Sequence, residues 1–123
     1  MFMNIMIGIP AYNEEKNIAI LISKLKKITD SVIVCDDGST DLTAEIAEKM
    51  GAKVVKHERN KGYGGAIKTI FSHAGKMDAD VLVTFDADGQ HRIEDIEKVL
   101  GPIKNNKADM VIGSRFLNSQ KFQ

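Results

Sequence analysis

The chain has 123 residues, room for one domain with a real core and too few for two. Apolar residues make up 43% and charged residues 28%, a folded, soluble profile that excludes intrinsic disorder. Lys plus Arg equals Asp plus Glu at 17 each, so no overall basic field draws in nucleic acid or an anionic membrane, and no nucleic-acid partner is expected.

No apolar run approaches the roughly 18 residues of a spanning helix. The opening Met-Phe-Met-Asn lacks the charged and apolar regions of a signal peptide, so a cytoplasmic address is expected. The single cysteine, Cys35, has no partner for a disulfide or a thiolate metal site and is expected to be inert core.

Met3 to Ile9 is an apolar run broken only by Asn4 and Gly8, the pattern of a strand buried on both faces of a parallel sheet. Pro10-Ala11-Tyr12-Asn13-Glu14-Glu15 stops it, and Ile18, Leu21, Ile22 and Leu25 then recur at helical spacing. Asn13 is placed to cap this helix, with Glu14 and Glu15 in its first turn. That leaves Tyr12, an aromatic in a loop at a strand's carboxyl end, placed to cover a ligand as readily as to pack.

Ser31 to Cys35 predicts a second strand, running into Asp36-Asp37-Gly38-Ser39-Thr40-Asp41 and then a helix through Ala44, Ile46 and Ala47. Gly38 permits a tight turn, and Ser39, Thr40 or Asp41 can cap the helix. Adjacent carboxylates cost energy unless a cation or a set of donors compensates them. One of the pair can point into a cleft while its neighbour supports the loop.

Ala52 to Lys56 predicts a short third strand, followed by Asn60-Lys61-Gly62-Tyr63-Gly64-Gly65-Ala66 and a helix carrying Ile67, Ile70, Phe71 and Ala74. Glycines before a helix allow backbone N–H groups to approach an anion, and Arg59, Lys61 or Lys68 can add charge. The segment is neither a dinucleotide fingerprint nor a Walker loop. His57 and His73 lack metal-ligand spacing and are expected at the surface or packed.

Val81 to Phe85 is an apolar, β-branched strand ending in Asp86-Ala87-Asp88-Gly89-Gln90-His91. Its two carboxylates are spaced i, i+2, where side chains can converge on one point. Such hard oxygen ligands suit Mg²⁺ or Mn²⁺, which keep coordination positions open for a substrate's phosphates. The plainer alternative is a polar turn closing a strand. Ile93, Ile96, Val99 and Leu100 predict another helix, and Asp109 to Gly113 a further strand with Ser114-Arg115 at its exit.

Strands alternating with helices predict an α/β fold with right-handed crossovers and a mostly parallel sheet covered by helices on both faces. The polar segments all follow strands, at the edge where open α/β sheets hold small molecules.

The order of these segments resembles the nucleotide-sugar-binding half of a family 2 glycosyltransferase of the Rossmann-like GT-A fold, and is most similar to polyprenyl-phosphate mannosyl- and glucosyltransferases. The motifs that carry the resemblance are Ile9-Pro-Ala-Tyr-Asn-Glu-Glu, Asp36-Asp-Gly-Ser-Thr-Asp, Asn60-Lys-Gly-Tyr-Gly-Gly-Ala, Asp86-Ala-Asp-Gly-Gln-His and Gly113-Ser-Arg. The resemblance implies transfer of a hexose from a metal-bound UDP or GDP sugar to a polyprenyl phosphate or a saccharide.

The donor-binding set it implies takes in Pro10, Ala11, Tyr12, Asn13 and Glu14; Asp36, Asp37, Gly38, Ser39 and Asp41; Lys61, Gly64 and Gly65; Asp86, Ala87 and Asp88; and Arg115. Among these, Pro10, Tyr12, Glu14 and Asp36 would hold the nucleoside. Asp86 and Asp88 would form the DxD element that binds Mn²⁺ or Mg²⁺, assisted by Gln90. No catalytic base is implied within residues 1–123, since the acceptor-binding half and any membrane contact are expected beyond them. Arg92-Ile93 stands where polyprenyl-phosphate members often carry proline, which leaves the acceptor open. Two other classes share part of the pattern. A response-regulator receiver also pairs acids, but after its first strand and not its second, and a non-catalytic nucleotide-binding module would need only the donor half.

Overall fold

The computed structural model describes residues 4–87 and the backbone of 110–112. Within them lie strands β1 (Ile5–Ala11), β2 (Ser31–Asp36), β3 (Lys53–Lys56), β4 (Val81–Thr84) and β5 (Met110–Ile112), with helices α1 (Ile18–Leu25), α2 (Thr43–Lys49) and α3 (Gly62–Lys76). The strands form one sheet in the order β3-β2-β1-β4-β5, with every pairing parallel. The expected α/β architecture is therefore present. The helix predicted from Ile93 to Leu100 lies outside the described residues.

Alternation along each strand sends its residues to two different cores. Ile7, Ile9, Val32, Val34, Val81, Val83 and Phe85 pack with Ile18, Leu21, Ile22 and Leu25 of α1 and Ala47 of α2. Met6, Ile33, Cys35 and Leu82 pack on the other face with Ala66, Ile70 and Ala74 of α3. Ile7, Ile9, Ile18, Ile22 and Leu25 are fully buried, each worth about 1.5 to 3 kcal/mol relative to exposure. On the α3 face Gly8 lets the helix sit directly on the sheet, since a Cβ there would lie 2.4 Å from Ile70 Cγ2.

Most strand ends shift by a residue or two from the sequence expectation, and three boundaries differ for a clear local reason. β1 continues through Pro10 and Ala11, because both pair in register with Cys35 and Asp36 and proline's missing donor does not prevent a parallel pairing at the strand's end. α1 starts at Ile18, so Asn13, Glu14 and Glu15 precede it and Asn13 does not cap it. α3 starts at Gly62, which makes the glycine segment the first turn of a helix and not a loop before one.

β1 is central, and the chain steps from it through β2 to β3 before crossing to β4 on its other side. The crevice between the carboxyl ends of β1 and β4 is thus the topological switch point where open α/β sheets take ligands. Backbone bonds continue past the strand ends there, from Asp37 N to Ala11 O (2.8 Å), His57 N to Asp36 O (2.9 Å) and Phe85 N to Gly8 O (2.9 Å). They hold the exits of β1 to β4 as one rigid rim.

Candidate functional site

A cleft of about 240 Å³ opens on this rim, lined by Pro10, Ala11, Tyr12, Asp37, Asn60, Gly62, Tyr63 and Ala66. Tyr12 and Tyr63 are the chain's two tyrosines, and each keeps nearly half its surface exposed, 47% and 46%. Each ring leaves the rim from a different strand exit, Tyr12 after β1 and Tyr63 in the first turn of α3. Amphipathic rings left half open at a cleft offer flat surface for a planar ligand group. The Tyr63 hydroxyl donates to Asp86 Oδ1 at 3.4 Å, which brings the exit of β4 to the same cleft.

The two acids after β2 have separate surroundings. Asp37, 4% exposed, accepts His57 Nδ1–H (2.7 Å) and the Lys61 N–H (2.8 Å) at Oδ1, and the Gly62 N–H (2.9 Å) at Oδ2. The anion at the start of α3 is therefore the protein's own carboxylate. Burial raises the pKa of Asp37, and the hydrogen bonds from His57, Lys61 and Gly62 outweigh it, leaving the carboxyl below its ordinary range. Asp36, 1% exposed, accepts the Ser39 N–H at Oδ1 (3.0 Å), and its Oδ2 has no hydrogen bond among the described residues. Asp36 lies beneath the rim, outside the cleft lining.

The loops after β1 and β2 are tied by a ladder of side-chain to backbone bonds. The Asn13 N–H donates to Ser39 Oγ (2.8 Å), and Asn13 Oδ1 accepts the Thr40 N–H (2.8 Å). The Glu14 N–H donates to Thr43 Oγ1 (2.8 Å). The Glu15 N–H donates to Asp41 Oδ2 (3.2 Å), while Glu15 Oε1 accepts the Leu42 N–H (3.1 Å). Asn13 holds a left-handed conformation, φ +53°, that asparagine tolerates better than most residues, and this aims its amide across the gap. Of the three candidate caps for α2, Asp41 is the one that accepts the Thr43 N–H (2.9 Å). Burial raises its pKa, and the hydrogen bonds from the Thr43 hydroxyl, the Thr43 N–H and the Glu15 N–H outweigh it, so the Asp41 carboxyl also lies below its ordinary range.

The structure thus brings Pro10, Ala11, Tyr12 and Asp37 to the cleft, with Asp86 at its edge and Ala87 buried beside it. Asn13, Glu14, Gly38, Ser39 and Asp41 form the supporting loops. Lys61 stands just before α3 and Gly64 and Gly65 in its first turn, but none of them is in the lining, where Asn60, Gly62, Tyr63 and Ala66 take their place. Asp88, Gln90 and Arg115 lie outside the described residues. Among the described residues no three His, Cys, Asp or Glu side chains converge as a metal cage. One carboxylate at the switch point fits a cation such as Mg²⁺, which is held by one or two carboxylates together with the substrate's phosphates.

The sequence model of Glycosyl transferase family 2 matches residues 6–123. The chain belongs to that family. It is 42% identical to the UDP-N-acetylglucosamine--dolichyl-phosphate N-acetylglucosaminyltransferase of Methanococcus voltae, over 94% of this chain and 53% of that protein. It is 35% identical to the dolichol-phosphate mannosyltransferase of Pyrococcus furiosus, over 98% of this chain and 36% of that one. The chain spans about half the length of the first of the curated relatives it matches. Among solved structures it resembles glucosyl-3-phosphoglycerate synthase from Mycobacterium tuberculosis in complex with Mn²⁺, uridine diphosphate and glucosyl-3-phosphoglycerate. The TM-score is 0.68 and the identity 28%, over 82% of this chain and 39% of that one.

Within this family 2 chain, the expected donor-binding set left out the lining residues Asn60, Gly62, Tyr63 and Ala66 and the buried His57. Tyr63 carried one usable signal, as the second of only two tyrosines, in a strand-exit segment like the first. His57 carried none, because its partners Asp37, Thr69 and Cys35 are distant in sequence.

Proposed function

We propose that this chain is the donor-binding domain of a hexosyltransferase that takes a hexose from a UDP or GDP sugar to a polyprenyl phosphate. The observation that carries the reading is the cleft on the carboxyl rim of the sheet, between the exits of β1 and β2 and the first turn of α3. Two half-exposed tyrosines there frame a space with an acid-bearing strand exit at its edge, in a chain of glycosyltransferase family 2. Support for the acceptor comes from the relatives' names, which specify dolichyl phosphate, dolichol phosphate and undecaprenyl phosphate. A polyprenyl phosphate is already anionic and needs no base to attack the sugar carbon. A saccharide acceptor would need one.

In this reading Pro10, Tyr12, Glu14 and Asp36 hold the nucleoside, and Ala11 with the loops built from Asn13, Asp37, Gly38, Ser39, Asp41, Lys61, Gly64 and Gly65 shapes its site. Asp86, Asp88 and Gln90 would hold Mn²⁺ or Mg²⁺, with Ala87 between the two acids and Arg115 toward the diphosphate. Mn²⁺ is supported by the synthase complex that contains it with uridine diphosphate. The bound cation would offset charge developing on the departing nucleoside diphosphate. A cytoplasmic address belongs to the same proposal.

Thermal unfolding with nucleotides tests it. UDP or GDP should raise the melting temperature only when Mn²⁺ or Mg²⁺ is present, by mass action on the native state. Equal shifts after chelation would remove the metal from the reading, and a preference for ATP would remove the nucleotide assignment. Metal-dependent binding without sugar transfer by the full-length protein would mark a binding module instead.

A further inference from the structure

We propose that His57 is a positioning residue for the nucleotide cleft, fixing Asp37 and through it the first turn of α3. The inference rests on the proposed function in taking the cleft's ligand to be a nucleoside diphosphate. His57 follows β3 directly and is only 8% exposed, and it is not among the residues that line the cleft. Its Nδ1 lies 2.7 Å from Asp37 Oδ1, and its Nε2 lies 2.8 Å from Thr69 Oγ1 and 3.6 Å from Cys35 Sγ.

Asp37 receives the Lys61 and Gly62 N–H groups as well, so it serves as an ionised acceptor, and the hydrogen between Asp37 and His57 belongs to Nδ1. Both carboxylate oxygens are thus engaged. Two of the three donors are backbone N–H groups, which no replacement at 61 or 62 other than proline removes. The third is His57, the one side-chain donor to Asp37 among the described residues. What Asp37 holds is the start of the helix that carries Tyr63 and Ala66 into the cleft. A buried carboxylate that loses one donor turns to recover it, and the backbone of Lys61 and Gly62 moves with it. Small displacements of a binding wall cost disproportionately, because ligand geometry tolerates roughly half an ångström.

Two isosteric changes separate the two sides of the ring. In His57→Asn the amide nitrogen falls near the Nδ1 position and can still donate to Asp37. In His57→Gln it falls near the Nε2 position, facing Thr69, and Asp37 loses its donor. Three quantities are read: affinity for UDP and GDP with Mn²⁺, melting temperature, and amide hydrogen exchange at Lys61 and Gly62. A hydrogen bond to a charged group converts to roughly tenfold or more in affinity. His57→Gln should therefore bind the diphosphates about tenfold or more weakly, with faster exchange at Lys61 and Gly62. His57→Asn should stay near wild type in both, at a similar melting temperature.

Wild-type affinity in His57→Gln, or losses in both variants that simply follow their melting temperatures, would overturn the inference. The ring ¹⁵N signals of the unsubstituted protein give a reading that needs no variant. They should show a protonated Nδ1, and a bare Nδ1 would overturn it equally. A wild-type protein that binds neither diphosphate would overturn the proposed function, while amide exchange and ring signals would still decide whether His57 holds Asp37.

Discussion

A side-chain carbon on Gly38 would lie 2.7 Å from the backbone nitrogen of Asn60, so the loops after β2 and β3 meet backbone against backbone. Gly38 also holds φ +80°, a region that L side chains rarely adopt. Gly38→Ala should destabilise the protein by about 1 to 3 kcal/mol through strain, with the added clash pushing toward the upper end. Asn60 lines the cleft, so nucleotide affinity should fall as well. Denaturant unfolding with and without UDP and Mn²⁺ checks both, and an unchanged midpoint would show that the loops part without cost.

Asp36 is the buried acid with an oxygen to spare. Its Oδ1 is held by the Ser39 N–H, which leaves Oδ2 as the acceptor that the proposed reading offers to a nucleobase donor. Asp36→Asn keeps the shape and can keep the Ser39 bond, yet turns that second acceptor into a donor. Nucleoside binding should weaken by about 1 to 3 kcal/mol with the metal contribution intact. Titration with uridine and guanosine, and with their diphosphates, measures this. Unchanged affinity for the nucleosides would take Asp36 out of the site.

Acid should loosen the rim before it unfolds the core. The carboxyl groups of Asp37 and Asp41 both lie below their ordinary values in the folded chain. A depressed folded pKa means that the unfolded state binds protons first, so the stability from these groups is complete above the ordinary carboxyl range, near about pH 4. It is lost as pH falls from there through the folded values. Stability measured against pH should decline below about 4, and Asp37→Asn should flatten part of that decline. A profile unchanged by that substitution would count against the assignment.

Cys35 should resist alkylation in the native protein at neutral pH. Burial, then the charges of Asp37 and Asp36, push its thiol up to about 11, and the thiolate is the reactive form. Mass spectrometry after iodoacetamide treatment, native against denatured, reads this directly. Rapid native modification would require the α3 face of the sheet to open.

The architecture was legible because strand and helix periods alternate cleanly, and the rim loops were legible because runs of Asp, Gly, Asn and Tyr follow one strand after another. Boundaries misled where backbone pairing overrides residue type, as at Pro10, which looks like a stop and remains in register with Cys35. The segment from Lys61 to Ala66 misled for a related reason. Read as a loop, its residues are equivalent. As a helical turn it sends Tyr63 and Ala66, three apart, to one side, while Gly64 and Gly65 face elsewhere. The His57 and Asp37 pair could not be read from sequence, because it depends on which strands become neighbours.

The central position of β1 also bears on how the protein comes apart. Its partner on one side begins at Ser31, while its partner on the other begins at Val81, paired with Ile5 across most of the described chain. Closing that long loop is the costlier step, since entropy must be lost before the contact repays it. A chain that has formed only β1 to β3 possesses Tyr12 and the Asp37 cap but lacks Asp86 opposite them. A nucleotide that needs both sides should leave the folding rate nearly unchanged and slow unfolding instead, so its benefit would appear as longer native lifetime.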